Sequence, residues 1–131
     1  MSGRKSTTFT ELELEFMKII WEKGEANTEN IQKALRDKGR ELSDGAIRRI
    51  FAILMDKGHL TRKKIGRNFV YFAKVEKEQA GKKMVLDLLT RAFSDSVSLM
   101  VTTILNSRDV KKDELEELKK LIAEHEREAE K

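Results

Sequence analysis

Residues Ser43 to Lys74 read SDGAIRRIFAILMDKGHLTRKKIGRNFVYFAK, and the two halves of this stretch decide the fold. The first half has the marks of a helix. Ser43 can accept a hydrogen bond from a free backbone N–H of the first turn, and Gly58 stands where a left-handed residue ends a helix. Ile47, Ile50, Phe51 and Leu54 fall at i, i+3, i+4 and i+7 and make one apolar stripe. Gly45, Arg49, Ala52 and Asp56 make the opposite face, with Arg48 at its edge. The small Gly45 and Ala52 let another surface come close while two arginines reach past it. That suits a helix in the major groove of DNA, where arginine bonds a guanine edge or holds a phosphate. An ordinary solvated helix face accounts for this half equally well.

The second half breaks the tie. After Gly58, LTRKKI and FVYFA are short runs of strand-forming residues joined by Gly66-Arg67-Asn68, a triplet that permits a tight turn with positive φ. Arg62, Lys63, Lys64 and Arg67 gather on this hairpin, with Asn68 as a neutral donor. From Arg48 to Lys74, eight basic residues stand against one acid, Asp56, so the stretch needs an anionic partner or much open water. A basic hairpin directly after a basic helix is how a winged helix-turn-helix grips the backbone beside the groove it reads.

The segment before it supplies the rest of that motif. Thr10 and Glu13 match a capping box, with Phe9 placed to pack on Leu14 as a hydrophobic staple. A first helix is expected to run to about Glu22, burying Leu14, Met17, Ile20 and Trp21. Trp21 could stack on a base, but a single tryptophan on an apolar stripe reads as core. Lys23-Gly24-Glu25 breaks the pattern, and Thr28 offers a cap for a second helix that buries Ile31, Ala34 and Leu35 before Gly39. The second helix then braces the third. Thr28, Ser43, Asp44, Gly45 and Ala46 join Arg48, Arg49, Arg62, Lys63, Lys64, Arg67 and Asn68 as the expected DNA-binding residues.

Composition limits the other classes of function. With 131 residues the chain has room for one compact domain and an appendage. It has no cysteine, which excludes disulfides, thiolate metal sites and cysteine nucleophiles. His59 and His125 are far apart and lack partners at metal or triad spacing, and no phosphate-binding glycine loop appears. The expectation is a protein that is not an enzyme and has no cofactor. The first eight residues, MSGRKSTT, are polar, expected to be mobile and unlike a signal peptide. No apolar run approaches the roughly 18 residues of a membrane span, so a soluble cytoplasmic protein is expected.

Charge is divided unevenly. Residues 1–75 hold 16 Lys and Arg against 10 Asp and Glu, whereas residues 76–131 hold 11 against 13. The expected division is a winged helix-turn-helix DNA-binding domain over 1–75 and a helical dimerisation domain over 76–131, in a mainly α fold. The second part shows three apolar stripes. Val85, Leu88, Leu89, Ala92 and Phe93 form one, and Val97, Met100, Val101, Ile104 and Leu105 follow after Ser94-Asp95-Ser96. Leu115, Leu118, Leu121 and Ile122 form the third, after a break at Asn106 to Asp109. These helices could fold back on the basic domain. A second copy of the chain covers them better, since roughly 55 residues seldom enclose much core alone. A two-fold dimer would also present two reading helices to a palindromic site.

At this point the chain resembles the BlaI/MecI/CopY family of bacterial repressors, the penicillinase-repressor type. The matching residues are FTELELEFMKIIWEKGEANTENIQKAL, LSDGAIRRIFAILMDKGHL and GRNFVYF, then a tail whose ILN and DELEELKKLI are similar to the family's end. Met17 with Ile20-Trp21, Leu54 with Lys57-Gly58, and Gly66-Arg67 with Tyr71 are the most specific. The resemblance implies a dimeric repressor on a dyad operator, released by a signal whose sensor or protease partner the sequence does not name. Three departures matter. Ala46 stands where the family often has threonine, and Ile53 where it often has arginine, which shifts readout toward Arg48 and Arg49. Members released by proteolysis are cut between asparagine and phenylalanine, but Ser107 follows Asn106 here, and the cysteines of copper-responsive relatives are missing. The competing reading is a winged-helix protein-protein interaction module without DNA binding.

Overall fold

The computed structural model describes residues 8–130, mostly helix with one small sheet. In chain order the elements are α1 (Glu11–Lys23), α2 (Thr28–Asp37), α3 (Asp44–Asp56), β1 (Leu60–Ile65), β2 (Asn68–Ala73), α4 (Lys77–Phe93), α5 (Val97–Ser107) and α6 (Lys112–Ala129). This is the expected winged helix-turn-helix followed by a helical tail. The residues before Thr8, expected to be mobile, lie outside those described. One compact unit runs through Val85 and a second begins at Leu86.

The capping box forms as its sequence predicts. The Thr10 hydroxyl accepts the Glu13 N–H, and the Glu13 carboxylate accepts the Thr10 N–H, both at 3.2 Å. Gly24, at φ 87°, closes α1 by donating its N–H to the Ile20 carbonyl at 2.7 Å. Met17 and Ile20 are fully buried, but so is Phe16, and Ile19 nearly so, while Leu14 and Trp21 are only half-buried. The stripe is wider than expected because α1 packs against both α2 and β2. Trp21 packs against the core, as its position suggested, and its indole N–H donates to the Val75 carbonyl at 2.9 Å. Phe9 lies edge-on to the Trp21 ring and over the His59 ring, at centroid distances of 6.4 and 4.3 Å.

The cap of α2 corrects the sequence reading. Asn27, not Thr28, holds the position: Asn27 and Asn30 each accept the other's backbone N–H through their side chains, at 2.7 and 3.0 Å. Two short amides bridging in both directions satisfy two of the free N–H groups where one threonine hydroxyl would satisfy one. Thr28 becomes the first residue of the helix, with its hydroxyl released from capping.

Both expected ends of α3 are present. Ser43 Oγ accepts the Ala46 N–H at 3.1 Å. At the other end Gly58, at φ 85°, donates to Met55 and His59 donates to Leu54, the paired bonds of a Schellman motif. Ile47, Phe51 and Leu54 are fully buried and Ile50 half-buried, so this stripe faces the core. Phe51 sits at its centre, edge-on to Phe16 at 5.5 Å and stacked on Tyr71 at 3.7 Å with 7° between the rings.

The hairpin is antiparallel, with register Arg62↔Tyr71, Lys64↔Phe69 and Ile65↔Asn68. Asn68 is therefore already in the strand, and the turn is the two residues Gly66 and Arg67 rather than the expected triplet. Positive φ at Gly66 (65°) but not at Arg67 is the pattern of a type II′ turn. The sheet gains one more pairing: Ala26, between α1 and α2, exchanges backbone bonds of 3.0 and 2.8 Å with Tyr71.

In the tail, helices break where the sequence predicts. Ser94 and Asp95 are both left-handed (φ 50° and 65°), Asp95 accepts the Thr90 hydroxyl at 2.9 Å, and Ser96 caps α5. Neither α5 nor α6 buries a single residue. Among the described residues no single helix is long and apolar enough to cross a membrane.

Candidate nucleic-acid interface

With Ile47, Phe51 and Leu54 turned inward, α3 must present its other face outward. Gly45, Arg48, Arg49 and Ala52 are all exposed there, and Ala46 is half-buried at the first turn. The two arginines differ. Arg48 Nε lies 2.8 Å from Asp44 Oδ2 one turn back, an exposed pair of the kind worth about 0.2–1 kcal/mol and readily exchanged for a stronger anion. Arg49 makes no hydrogen bond or ion pair among the described residues and projects as an unengaged cation.

Gly45 is unexplained by the chain's own packing. Its φ is not positive, and a Cβ built on it meets nothing within 4 Å. Glycine in a helix is worse than alanine by roughly 0.5–1 kcal/mol, so the fold alone favours alanine there.

Alternation along the strands sorts the wing's cations. Arg62 and Lys64 share a face with Tyr71 and Phe69, whereas Lys63 shares the other face with Val70. Arg67 occupies the tip of the turn, next to Asn68. Lys63, Lys64 and Arg67 are exposed and, among the described residues, unpaired. Arg62 is held instead: its guanidinium carbon lies 3.8 Å from the Phe69 ring centroid, and Nη1 donates a long bond of 3.5 Å to the Tyr71 hydroxyl.

These pieces enclose one open groove of about 340 Å³, reached by Thr28 from α2, Asp44, Arg48 and Ala52 from α3, and Arg62, Arg67 and Asn68 from the wing. The Ala26–Tyr71 bridge ties the segment just before α2 to β2, beside the groove. Sequence reasoning named its three arginines but missed Phe69 and Tyr71 behind Arg62. The alternation in FVYFA was visible; the register that sets those aromatics beside Arg62 was not.

Residues 9–124 match the penicillinase repressor family. The chain belongs to that family. It is 28% identical over 118 residues to the methicillin resistance regulatory protein MecI of Staphylococcus aureus, covering 90% of this chain and 95% of that protein. It is 29% identical over 122 residues to the penicillinase repressor of Bacillus licheniformis, covering 93% and 94%. Among solved structures it is similar to the DNA-binding domain of the repressor BlaI, with a TM-score of 0.50 and 33% identity over 58% of this chain and 92% of that one. The penicillinase repressor family is one of DNA-binding transcriptional repressors, not of enzymes.

The apolar residues expected at a dimer interface are placed on α4, α5 and α6. Val85, Leu88, Val101, Ile104, Leu105, Leu115, Leu118 and Ile122 are between 36% and 61% exposed, and Leu89, Phe93 and Met100 are half-buried.

Proposed function

We propose that this member of the penicillinase repressor family binds a palindromic double-stranded operator as a homodimer. In this reading residues 1–75 hold the DNA and residues 76–131 pair the two copies. The observation that carries it is the groove in which Arg48, Arg62 and Arg67 converge from two elements beside the bare face of α3. Arg49 is the base reader, because a long unpaired guanidinium on a face opened by Gly45 and Ala52 can reach a guanine edge. Thr28, Ser43 and Asn68 add neutral donors, and Arg48, Lys63, Lys64 and Arg67 take phosphates. Repression follows from occupying the operator, and the protein works where the DNA lies, in the bacterial cytoplasm.

The second half supports pairing because, among the described residues, most of the apolar stripe residues of α4, α5 and α6 stay exposed, and monomeric proteins rarely leave such surface open. The test is binding of a labelled duplex across a salt series. The logarithm of the association constant should fall with the logarithm of salt, with a slope of about −0.9 per phosphate engaged. Failure to bind any duplex at low ionic strength would overturn the reading and favour the protein-interaction module.

A further inference from the structure

We infer that Phe69 and Tyr71 are positioning residues that hold the Arg62 guanidinium ready for a DNA phosphate, an inference that rests on the DNA-binding reading above. The hairpin register places Arg62 directly opposite Tyr71 and diagonal to Phe69, all on one face of the wing. The guanidinium carbon lies 3.8 Å from the Phe69 ring centroid, well inside the range of a cation–π contact. Its Nη1 end reaches the Tyr71 hydroxyl at 3.5 Å. The head group is thus held both by a ring and by a hydroxyl.

That holder is itself anchored in the core. Tyr71 is only 5% exposed and stacks on Phe51, which meets Phe16 edge-on. Its backbone is bonded in both directions to Ala26. Phe69 packs against the same core cluster. Arg62 is exposed and has no acidic partner among the described residues, so the ring contact leaves N–H groups along the guanidinium edge to donate outward. The other wing cations must be ordered when DNA arrives, whereas Arg62 is ordered beforehand. Arginine suits this place better than lysine, since its several N–H groups let one end reach the Tyr71 hydroxyl while others stay free to donate outward.

The experiment measures full-chain binding to a mixed-sequence duplex across a salt series. Arg62→Ala should reduce the steepness of the salt dependence by about 0.9, the mark of one lost phosphate contact. Phe69→Leu keeps the charge but frees the guanidinium; it should weaken binding about 2- to 10-fold, the cost of ordering one long side chain, with the slope retained. In the Arg62→Ala background Phe69→Leu should have no further effect, and Phe69→Tyr, which keeps the ring, should bind as the parent does. Arg62→Lys lies on the surface and leaves the core intact, so it carries the test if Phe69→Leu melts; it should show the same loss at unchanged slope. Parent-like binding by Arg62→Lys, or an equal loss from Phe69→Leu with and without Arg62, overturns the inference. If the parent ignores duplex DNA altogether, the functional reading fails first. If the parent binds duplex with a steep salt dependence and Phe69→Leu and Arg62→Lys bind as tightly as the parent, only the positioning role is lost.

Discussion

Lys57 Nζ lies 2.7 Å from Glu13 Oε1, joining the end of α3 to the first turn of α1. Both side chains are largely out of water, at 13% and 5% exposed. Each also serves a second partner: the carboxylate oxygen accepts the Thr10 N–H at 3.2 Å, and the ammonium donates to the Thr8 carbonyl at 2.9 Å. One pair therefore couples the N-cap of α1 to the C-cap of α3. Residues 44 positions apart are thereby fixed together through hydrogen-bonded charge.

Removing one partner leaves the other charge buried and uncompensated. Lys57→Met should destabilise the folded chain by about 3–5 kcal/mol in chemical denaturation. Adding Glu13→Gln should recover part of that loss, because the amide oxygen can still accept the Thr10 N–H while no naked charge remains. A single variant as stable as the parent would mean that the pair is solvated in solution and does not join the helices.

Gly45 offers the reverse experiment, a change that helps the fold and harms the function. Nothing in the chain lies within 4 Å of its missing Cβ, and its backbone is ordinary helix. Gly45→Ala should raise stability by about 0.5–1 kcal/mol. If the small residue admits DNA to the α3 surface, the same variant should bind duplex less tightly. Improved stability with unchanged DNA affinity would show that the close approach occurs elsewhere on the helix.

Local chemistry was legible in the sequence wherever a residue acts on its own neighbours. The Thr10–Glu13 capping box, the Ser43 cap and the left-handed Gly58 depend on residues within one turn, and all three were placed correctly. The cap of α2 was misplaced by one residue because Asn27 and Thr28 are both good caps, and the reciprocal amide of Asn30 decided between them. What depends on register or on distant chain was hidden. Neither the Ala26–Tyr71 bridge nor the ring beside Arg62 has a local signature, since the first is set by where β2 meets the segment between α1 and α2 and the second by the register of the two strands. Glu13 shows the same limit from another side: the capping role was readable, but its 2.7 Å bond to Lys57 required the folded chain.

The two arginines of α3 should separate in binding assays. Arg49→Ala removes an unengaged guanidinium on the bare face; if it reads a base, specific binding should weaken by about 1–3 kcal/mol with little change on random duplex. Arg67→Ala at the wing tip should weaken both kinds of DNA alike and flatten the salt dependence. Arg48 starts from a different state, already paired with Asp44 at 2.8 Å. Asp44→Asn should therefore strengthen binding to random duplex, by freeing one cation and removing one anion from the groove. Equal losses for Arg49→Ala on both kinds of DNA would reassign Arg49 to a phosphate.

The tail makes a prediction about mass. Leu118 and Ile122 lie one turn apart on α6 and are 38% and 61% exposed within a single chain. Two glutamates there meet open water in a monomer, so the Leu118→Glu, Ile122→Glu variant should fold as well as the parent. In a dimer that covers this stripe the same charges would be desolvated against apolar surface, which no partner repays. Light scattering should give two chains for the parent and one for the variant. Operator binding should fall by about 10²-fold or more, because the second half-site no longer benefits from a tethered copy. A variant that keeps the parent's mass would move the pairing surface off α6, leaving the stripes of α4 and α5 to carry it.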